Sequence, residues 1–134
     1  MRDMHNNIKR LIAITPQAVG TSGIAGGKLS AILDRRGYDA VEFVYSSGAS
    51  ASVADTITPV IYEAAATGDS FTSVADTDLV GTESAITLTA AATKNVGYRG
   101  NKRYLKIRLY GTGTATAIVG AVIELGQPER QPVV

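Results

Sequence analysis

Cysteine and tryptophan are absent from the 134 residues, there are two phenylalanines, and His5 is the single histidine. Each shortage excludes something. Without cysteine neither a disulfide framework nor a thiolate metal site can form, so stability has to come from packing, strand pairing or self-association. A lone histidine in a polar N-terminal stretch has nothing to hold it against a nucleophile, which removes the base from any Ser-His-Asp relay. No run of about 18 apolar residues exists to cross a bilayer as a helix. The opening MRDMHNNIKR lacks the apolar segment of a secretory signal, which predicts synthesis and retention in the cytoplasm. What remains is an apolar content of 45%, much of it Ala and Val set among Thr, Ser and Gly. Small side chains pack thin layers, and thin layers suit a β-sandwich. The length fits one domain with a real core but not two.

The net charge of +1 conceals a segregation along the chain. From Gly37 to Thr93 every ionisable side chain other than tyrosine is acidic (Asp39, Glu42, Asp55, Glu63, Asp69, Asp76, Asp78, Glu83), and from Lys94 to Arg108 every one is basic (Lys94, Arg99, Lys102, Arg103, Lys106, Arg108). Such a division either makes a dipolar molecule with one patch for an acidic partner and another for a basic one, or places acidic strands beside basic ones so that they neutralise each other across a sheet.

The best-defined strand lies in YRGNKRYLKIRLY, residues 98–110. Arg103, Leu105, Ile107 and Leu109 share one parity and Tyr104, Lys106, Arg108 and Tyr110 the other, the period of two expected of a half-buried strand. Gly100 and Asn101 before it are turn residues able to take positive φ. Elsewhere, Met1 to Arg10 has no periodicity and reads as an arm. Ile8 and Leu11 to Ile14 begin a short apolar run, an edge strand that Thr15-Pro16 ends, and Gln17 to Gly27 is a glycine-rich loop. Lys28 to Leu33, Tyr38 to Ser46 and Ile57 to Ala64 are strands, the last offering Ile57, Val60 and Tyr62 to the core. Phe71 to Ala75 closes a hairpin, Asp76 to Glu83 is a loop with one helical turn capped by Asp76, and Ile86 to Thr89 and Lys94 to Tyr98 resume alternation. Ala115 to Leu125 is apolar on both faces and therefore wants a cover on each, the core on one and a second subunit on the other. Gln127 onward, with Pro128 and Pro132, is an extended tail. About eight short strands with turns every eight to twelve residues predict an all-β antiparallel sandwich of jelly-roll type, divided into an arm (1–10), a body (11–126) and a tail (127–134).

Motifs for chemistry are weak. Asp76-Thr77-Asp78 lacks the glycine and terminal glutamate of a calcium loop, and an ordinary solvated loop explains it better. GTSGIAGG (20–27) is followed by Lys28-Leu29 and strand, not by the Lys-Ser/Thr ending and helix of a phosphate cradle. No cofactor is called for, and the chain is read as a non-enzyme. The face of Tyr98, Tyr104 and Tyr110 interleaved with Arg99, Lys102, Arg103, Lys106 and Arg108 has the composition that stacks bases and pairs phosphates. A pI of about 8.0 and the acidic half argue against a polyanion. A carbohydrate or host-surface module is the other alternative, which the lack of Trp disfavours.

The opening MRDMHNNIK, the segment FTSVADTDLVGT, the block YRGNKRYLKIRL and the ending VIELGQPERQPVV together resemble small proteins encoded near the major capsid gene of tailed bacteriophages, the head decoration or cement proteins. The resemblance spans nearly the whole chain. It implies a β-sandwich or jelly-roll body on the capsid exterior of a virion, bridging capsomers as a homodimer or homotrimer, with the major capsid protein as partner and no membrane. On that reading Arg2, His5, Lys9 and Arg10 of the arm and Arg99, Lys102, Arg103, Lys106 and Arg108 of the basic face grip the capsid, and Ile118, Val122, Tyr104 and Tyr110 form the oligomer interface. An extended arm of ten residues reaches about 30 Å, so multivalent docking on a lattice is within its span.

Overall fold

A computed structural model describes residues 4–19, 23–50, 55–113 and 116–129. Its strands are β1 (Ile8–Ala18), β2 (Lys28–Leu29), β3 (Leu33–Asp34), β4 (Tyr38–Ser47), β5 (Thr56–Ala64), β6 (Thr72–Ser73), β7 (Leu79–Val80), β8 (Ile86–Thr87), β9 (Ala92–Tyr98), β10 (Tyr104–Gly111) and β11 (Ile118–Pro128), with one helical turn α1 (Gly23–Gly26) and a 3-10 turn at Asp76–Asp78. Two antiparallel sheets result. One runs β1-β11-β4-β9-β7; the other runs β2-β10-β5-β6, with β3 also on β10 and β8 also on β5.

The alternation that marks each long strand decides which face goes inward. In β10 Leu105, Ile107 and Leu109 are fully buried, and they meet Ile57 and Ile61 of β5 within one layer. In the facing layer Val41, Phe43 and Tyr45 of β4 lie beside Val96 and Tyr98 of β9 and Val119, Ala121, Ile123 and Leu125 of β11. These residues form one continuous core. Fully burying one such Leu, Ile or Phe side chain is worth about 1.5–3 kcal/mol, and the two layers together supply the antiparallel sandwich that the sequence predicts.

Several boundaries differ from expectation. The strand at the N-terminal edge starts at Ile8, not after Arg10, so Lys9 and Arg10 are ladder residues opposite Leu125 and Glu124 and not parts of a free arm. The same strand continues through Pro16 to Ala18. It does so because β1 is an edge, and because register shifts between Ile12 and Ile14 and between Ile14 and Gln17 absorb the residue that cannot donate. Residues 28–33 make two short pairings on β10 in place of one strand, joined by Ser30, whose amide and hydroxyl exchange hydrogen bonds with the Ile107 backbone. In β5 the inward set is Ile57, Pro59 and Ile61, while Val60 and Tyr62 face outward, a correction to the sequence reading. Gly100 has no positive φ; it is small because a Cβ there would stand 2.5 Å from the Tyr98 hydroxyl. The 3-10 turn is preceded by Ala75 and has no side-chain cap, so Asp76 does not play that role. Finally, β11 runs on to Pro128, two residues into the expected tail. Arg2 and residues 130–134 lie outside the described residues.

Candidate functional site

The two outward faces of the sandwich differ in chemistry. On the five-stranded sheet, register sets Arg10, Glu124, Glu42, Gly97 and Val80 in one row across β1, β11, β4, β9 and β7, and Ile12, Val122, Val44 and Asn95 in the next. Gly120, Ser46 and Thr93 follow. None of these outward residues is aromatic. Ile12, Val80 and Ile118 are 67%, 57% and 56% exposed, which is unusual for side chains of that size. Three open cavities occupy this face. One of about 640 Å³ includes Ile8, Ala40, Glu42, Val80, Gly97 and Glu124; one of about 260 Å³ lies among Ile12, Pro16, Val44, Gly120 and Val122; one of about 480 Å³ lies among Pro16, Ser46, Thr93, Ile118 and Gly120. The last two share Pro16, Ser46 and Gly120 and make one shallow, largely apolar trough whose small floor residues give it depth, whereas the first shares no lining residue with them and is also bordered by Arg35, Asp39 and Arg99.

The outward face of the six-stranded sheet is aromatic and cationic. Tyr104, Lys106, Arg108 and Tyr110 of β10 stand on it in sequence, half-buried, with Tyr62 opposite Lys106 and Leu29 opposite Arg108. The Lys106 ammonium lies 4.1 Å from the Phe71 ring centroid and the Arg108 guanidinium 5.9 Å from that of Tyr62. Cation–π contacts of this kind hold long side chains down on the sheet.

The predicted basic grip is largely engaged within the protein. Arg10 Nε donates to Glu124 at 2.5 Å. Arg103 makes a two-pronged pair with Asp34, at 2.9 and 2.7 Å, and covers the Tyr104 ring; that guanidinium holds the Asp34 carboxyl below its usual range. Although Arg103 shares the parity of Leu105, it is outside β10 and 41% exposed, so it is no part of the inward face. Arg99 Nε donates to Thr77 O at 2.8 Å, and Arg108 donates to Ile24 O at 3.1 Å. Lys94 donates to Ala85 O. Lys102 is half-buried in the turn before β10, and His5 sits in the turn leading to β1. Thus the arm residues Lys9 and Arg10 sit at the edge of one sheet, and Lys106 and Arg108 on the outer face of the other. The charge blocks of the sequence become neighbours: β9 lies between β4 and β7, and β10 beside β5.

The proposed oligomer residues are also divided. Ile118 and Val122 point out of the five-stranded sheet while Tyr104 and Tyr110 point out of the six-stranded one, so no single flat interface contains all four.

No protein-family model and no curated protein matches the chain. Solved structures do share its backbone. It is similar to the PBSX exported protein XepA, with a TM-score of 0.58 and 16% identity over 94% of this chain and 39% of that one. It is similar also to a Clostridium thermocellum endo-1,4-β-D-xylanase 10B chain carrying CBM22-1 and GH10 modules, complexed with xylohexaose, at a TM-score of 0.50 and 9% identity over 97% of this chain and 28% of that one. A chain of Bacillus endospore appendages, described as disulfide-linked pili, aligns at a TM-score of 0.45 and 13% identity over 91% and 89%. The chain therefore spans about two fifths of XepA and under a third of the xylanase chain. At these identities what is shared is the fold, an all-β sandwich.

Between the two faces, at one end of the molecule, is a polar junction that sequence reasoning missed. Tyr98, almost fully buried, donates its hydroxyl to Glu63 at 2.5 Å and accepts the Lys102 amide at 2.9 Å. Burial, and the hydrogen bond that the phenol donates to Glu63, raise this phenol well above its usual range. Arg35 crosses over the ring and donates to Lys102 O and Gly100 O. The turn carrying Arg99, Lys102 and Arg103 is thereby fixed by two side chains distant in sequence. A second junction joins Glu83 to the Ile61 amide at 2.5 Å, filling the ladder position on β5 between β8 and β6. Burial raises the Glu83 carboxyl. Nearby Tyr45 donates to Ser84 O and is pushed up to about 12, by burial first and by Glu83 second. Among the described residues no three His, Asp or Glu side chains gather as a metal would need.

Proposed function

We propose that the chain is a structural binding protein, a cement subunit that seats on the outside of a phage capsid and bridges neighbouring capsomers, with the outer face of the five-stranded sheet as its docking surface. One observation carries this: an apolar trough runs between exposed Ile12 and Ile118 over Pro16, Ser46 and Gly120, and its lining residues are uncharged. Exposed apolar surface of this extent marks interaction sites in folded proteins. The segregated fold supports the same reading, because the two faces can act separately. The resemblance of the sequence to decoration proteins supports the major capsid protein as the partner in this reading.

Docking through apolar rungs changes what the arm and the basic residues do. With Arg10, Arg103 and Arg99 engaged internally, their contribution is to hold the body in shape, and the capsid contact rests on packing. Covering Ile12 and Ile118 is worth about 1–2 kcal/mol each. Ile12→Glu with Ile118→Glu therefore lowers occupancy on purified heads at least roughly tenfold, while circular dichroism and unfolding midpoint stay near wild type because both side chains are exposed in the free protein. Deleting residues 1–7, which leaves β1 intact, tests the arm in the same assay. Undiminished occupancy of the double variant would remove the trough from the mechanism.

A further inference from the structure

On the opposite face the structure carries a second site, independent of the docking reading. We propose that the hollow of about 150 Å³ bordered by Leu29, Tyr62, Phe71, Lys106 and Arg108 binds the acidic sugar residue of a carboxylated polysaccharide.

The site is assembled from the outward parity of β10 and from its neighbours on both sides. Lys106 and Arg108 are two positions apart on one strand face, hence about 7 Å between their origins. Leu29 is set beside Arg108 by the β2 register, and Tyr62 beside Lys106 by the β5 register. Arg108 is held before any ligand arrives. Its guanidinium donates to Ile24 O of α1, and α1 can come this close because residue 27 is glycine: a Cβ there would meet Tyr110 Cβ at 2.8 Å, Leu109 O at 2.9 Å and Arg108 Cγ at 3.2 Å. The Arg108 Nε is buried without a hydrogen-bond partner, so a carboxylate reaches it only when the guanidinium turns outward, which recovers the cost of its desolvation, and the Lys106 ammonium is the donor that meets the anion first. Lys106 is steadied over Phe71, which leaves most of its ammonium hydrogens for an acceptor.

Size and composition select the ligand class. A hollow this small is below the range of drug-sized pockets and takes one ring or one side chain. Two cations beside two aromatic rings and a leucine ask for a group that is anionic at one end and presents flat C–H surface at the other, as a uronic acid ring does. A single-stranded nucleic acid needs a longer run of unengaged cations, and Arg103 and Arg99, the next in line, are held by Asp34 and Thr77. An acidic peptide side chain offers the charge without the C–H face. Tyr104 and Tyr110 continue the same outward line on either side, so a linear chain of sugars has ring surfaces to follow beyond the hollow.

The test is calorimetric and NMR titration of the full chain with oligogalacturonate, using its methyl-esterified form, xylohexaose, a hexaglutamate peptide and oligo-dT as competitors. Saturable binding of oligogalacturonate with amide shifts centred on Leu29, Tyr62 and Lys106 is expected, at least about tenfold weaker for the esterified and neutral sugars and for Lys106→Gln. Phe71→Leu, which removes the ring and keeps an apolar wall, weakens it as well and reports on the site if Arg108 variants fail to fold. Absence of binding at millimolar oligogalacturonate overturns the proposal. So does equal affinity for the esterified sugar, tighter binding of the peptide or of oligo-dT, or binding that Lys106→Gln leaves unchanged.

Discussion

Replacing Tyr98 by Phe deletes one oxygen atom and should be among the costlier single-atom changes outside the apolar core. The hydroxyl serves two partners, donating to Glu63 Oε2 at 2.5 Å and accepting from the Lys102 amide at 2.9 Å, in a residue only 3% exposed. A hydrogen bond to a charged group contributes about 1.5–3 kcal/mol, and a buried donor left without an acceptor costs about 1–3 kcal/mol. The two losses do not add in full, because Glu63 and Lys102 are each half-exposed and water reaches them once the hydroxyl is gone. About 2–3 kcal/mol is the expected total, or roughly 8–12 °C in Tm for a domain of this size. Urea unfolding should show a lower midpoint at unchanged slope, and hydrogen exchange should show the Lys102 amide losing protection ahead of Leu105 and Ile107. Gly100→Ala reaches the same junction from the other side, since its Cβ would lie 2.5 Å from the hydroxyl; the double variant is expected to lose less than the sum of the two. A loss under about 0.5 kcal/mol with Lys102 still protected would mean that Arg35, which bonds the carbonyls of Gly100 and Lys102, holds the turn alone, and the reasoning fails.

Three further outcomes follow from the same geometry. Glu83 has a raised folded-state pKa, chiefly from burial, so its contribution to stability is fully present below about pH 4.5 and is lost as pH rises through the folded value; Glu83→Gln should flatten that part of the pH–stability curve, and parallel curves would contradict the assignment. Tyr45, pushed up to about 12, stays protonated in the folded state while the unfolded state ionises near 10, so stability should fall by about 1.4 kcal/mol per pH unit between them. That slope shrinks in Tyr45→Phe when urea midpoints are compared at pH 9, 10 and 11. Gly27→Ala forces α1 away from β10, which predicts about 1–3 kcal/mol of destabilisation and loss of the Arg108 bond to Ile24 O, read as faster exchange in α1.

How legible the molecule is in its sequence depends on whether a strand has one apolar parity or two. In β10 the inward Leu105, Ile107 and Leu109 are opposed by Tyr104, Lys106, Arg108 and Tyr110, so period two determines both the element and its faces. In β5, Ile57, Pro59, Val60, Ile61 and Tyr62 load both parities, and the inward set is settled only by the register against β10; sequence alone picks Val60 and Tyr62 wrongly. Pro16 signals a strand end, yet an edge with two register shifts tolerates it. The charge blocks are legible as blocks, but their neutralisation depends on which strands become neighbours, and β9 and β10 are placed by tertiary packing beside the acidic ones. The trough is less legible still, being built from outward residues of β1, β4, β9 and β11.

The division between the faces follows from where aromatic residues can be placed. Phe43, Tyr45 and Tyr98, three of the larger rings, are used inward on the five-stranded sheet, and that sheet's outward rows hold only aliphatic, small and polar side chains. Tyr62, Tyr104, Tyr110 and Phe71 stand on the outer side of the other sheet, where Lys106 and Arg108 cover two of them. A ring face already in contact with a cation is poorly available for packing against a protein lattice, since burying it would also desolvate the charge. The aliphatic trough carries no such penalty, because its lining is uncharged and the row of Arg10, Glu124 and Glu42 lies beside it, with Arg10 paired to Glu124. Apolar docking therefore belongs to the trough, and a ligand that brings its own negative charge belongs to the aromatic face.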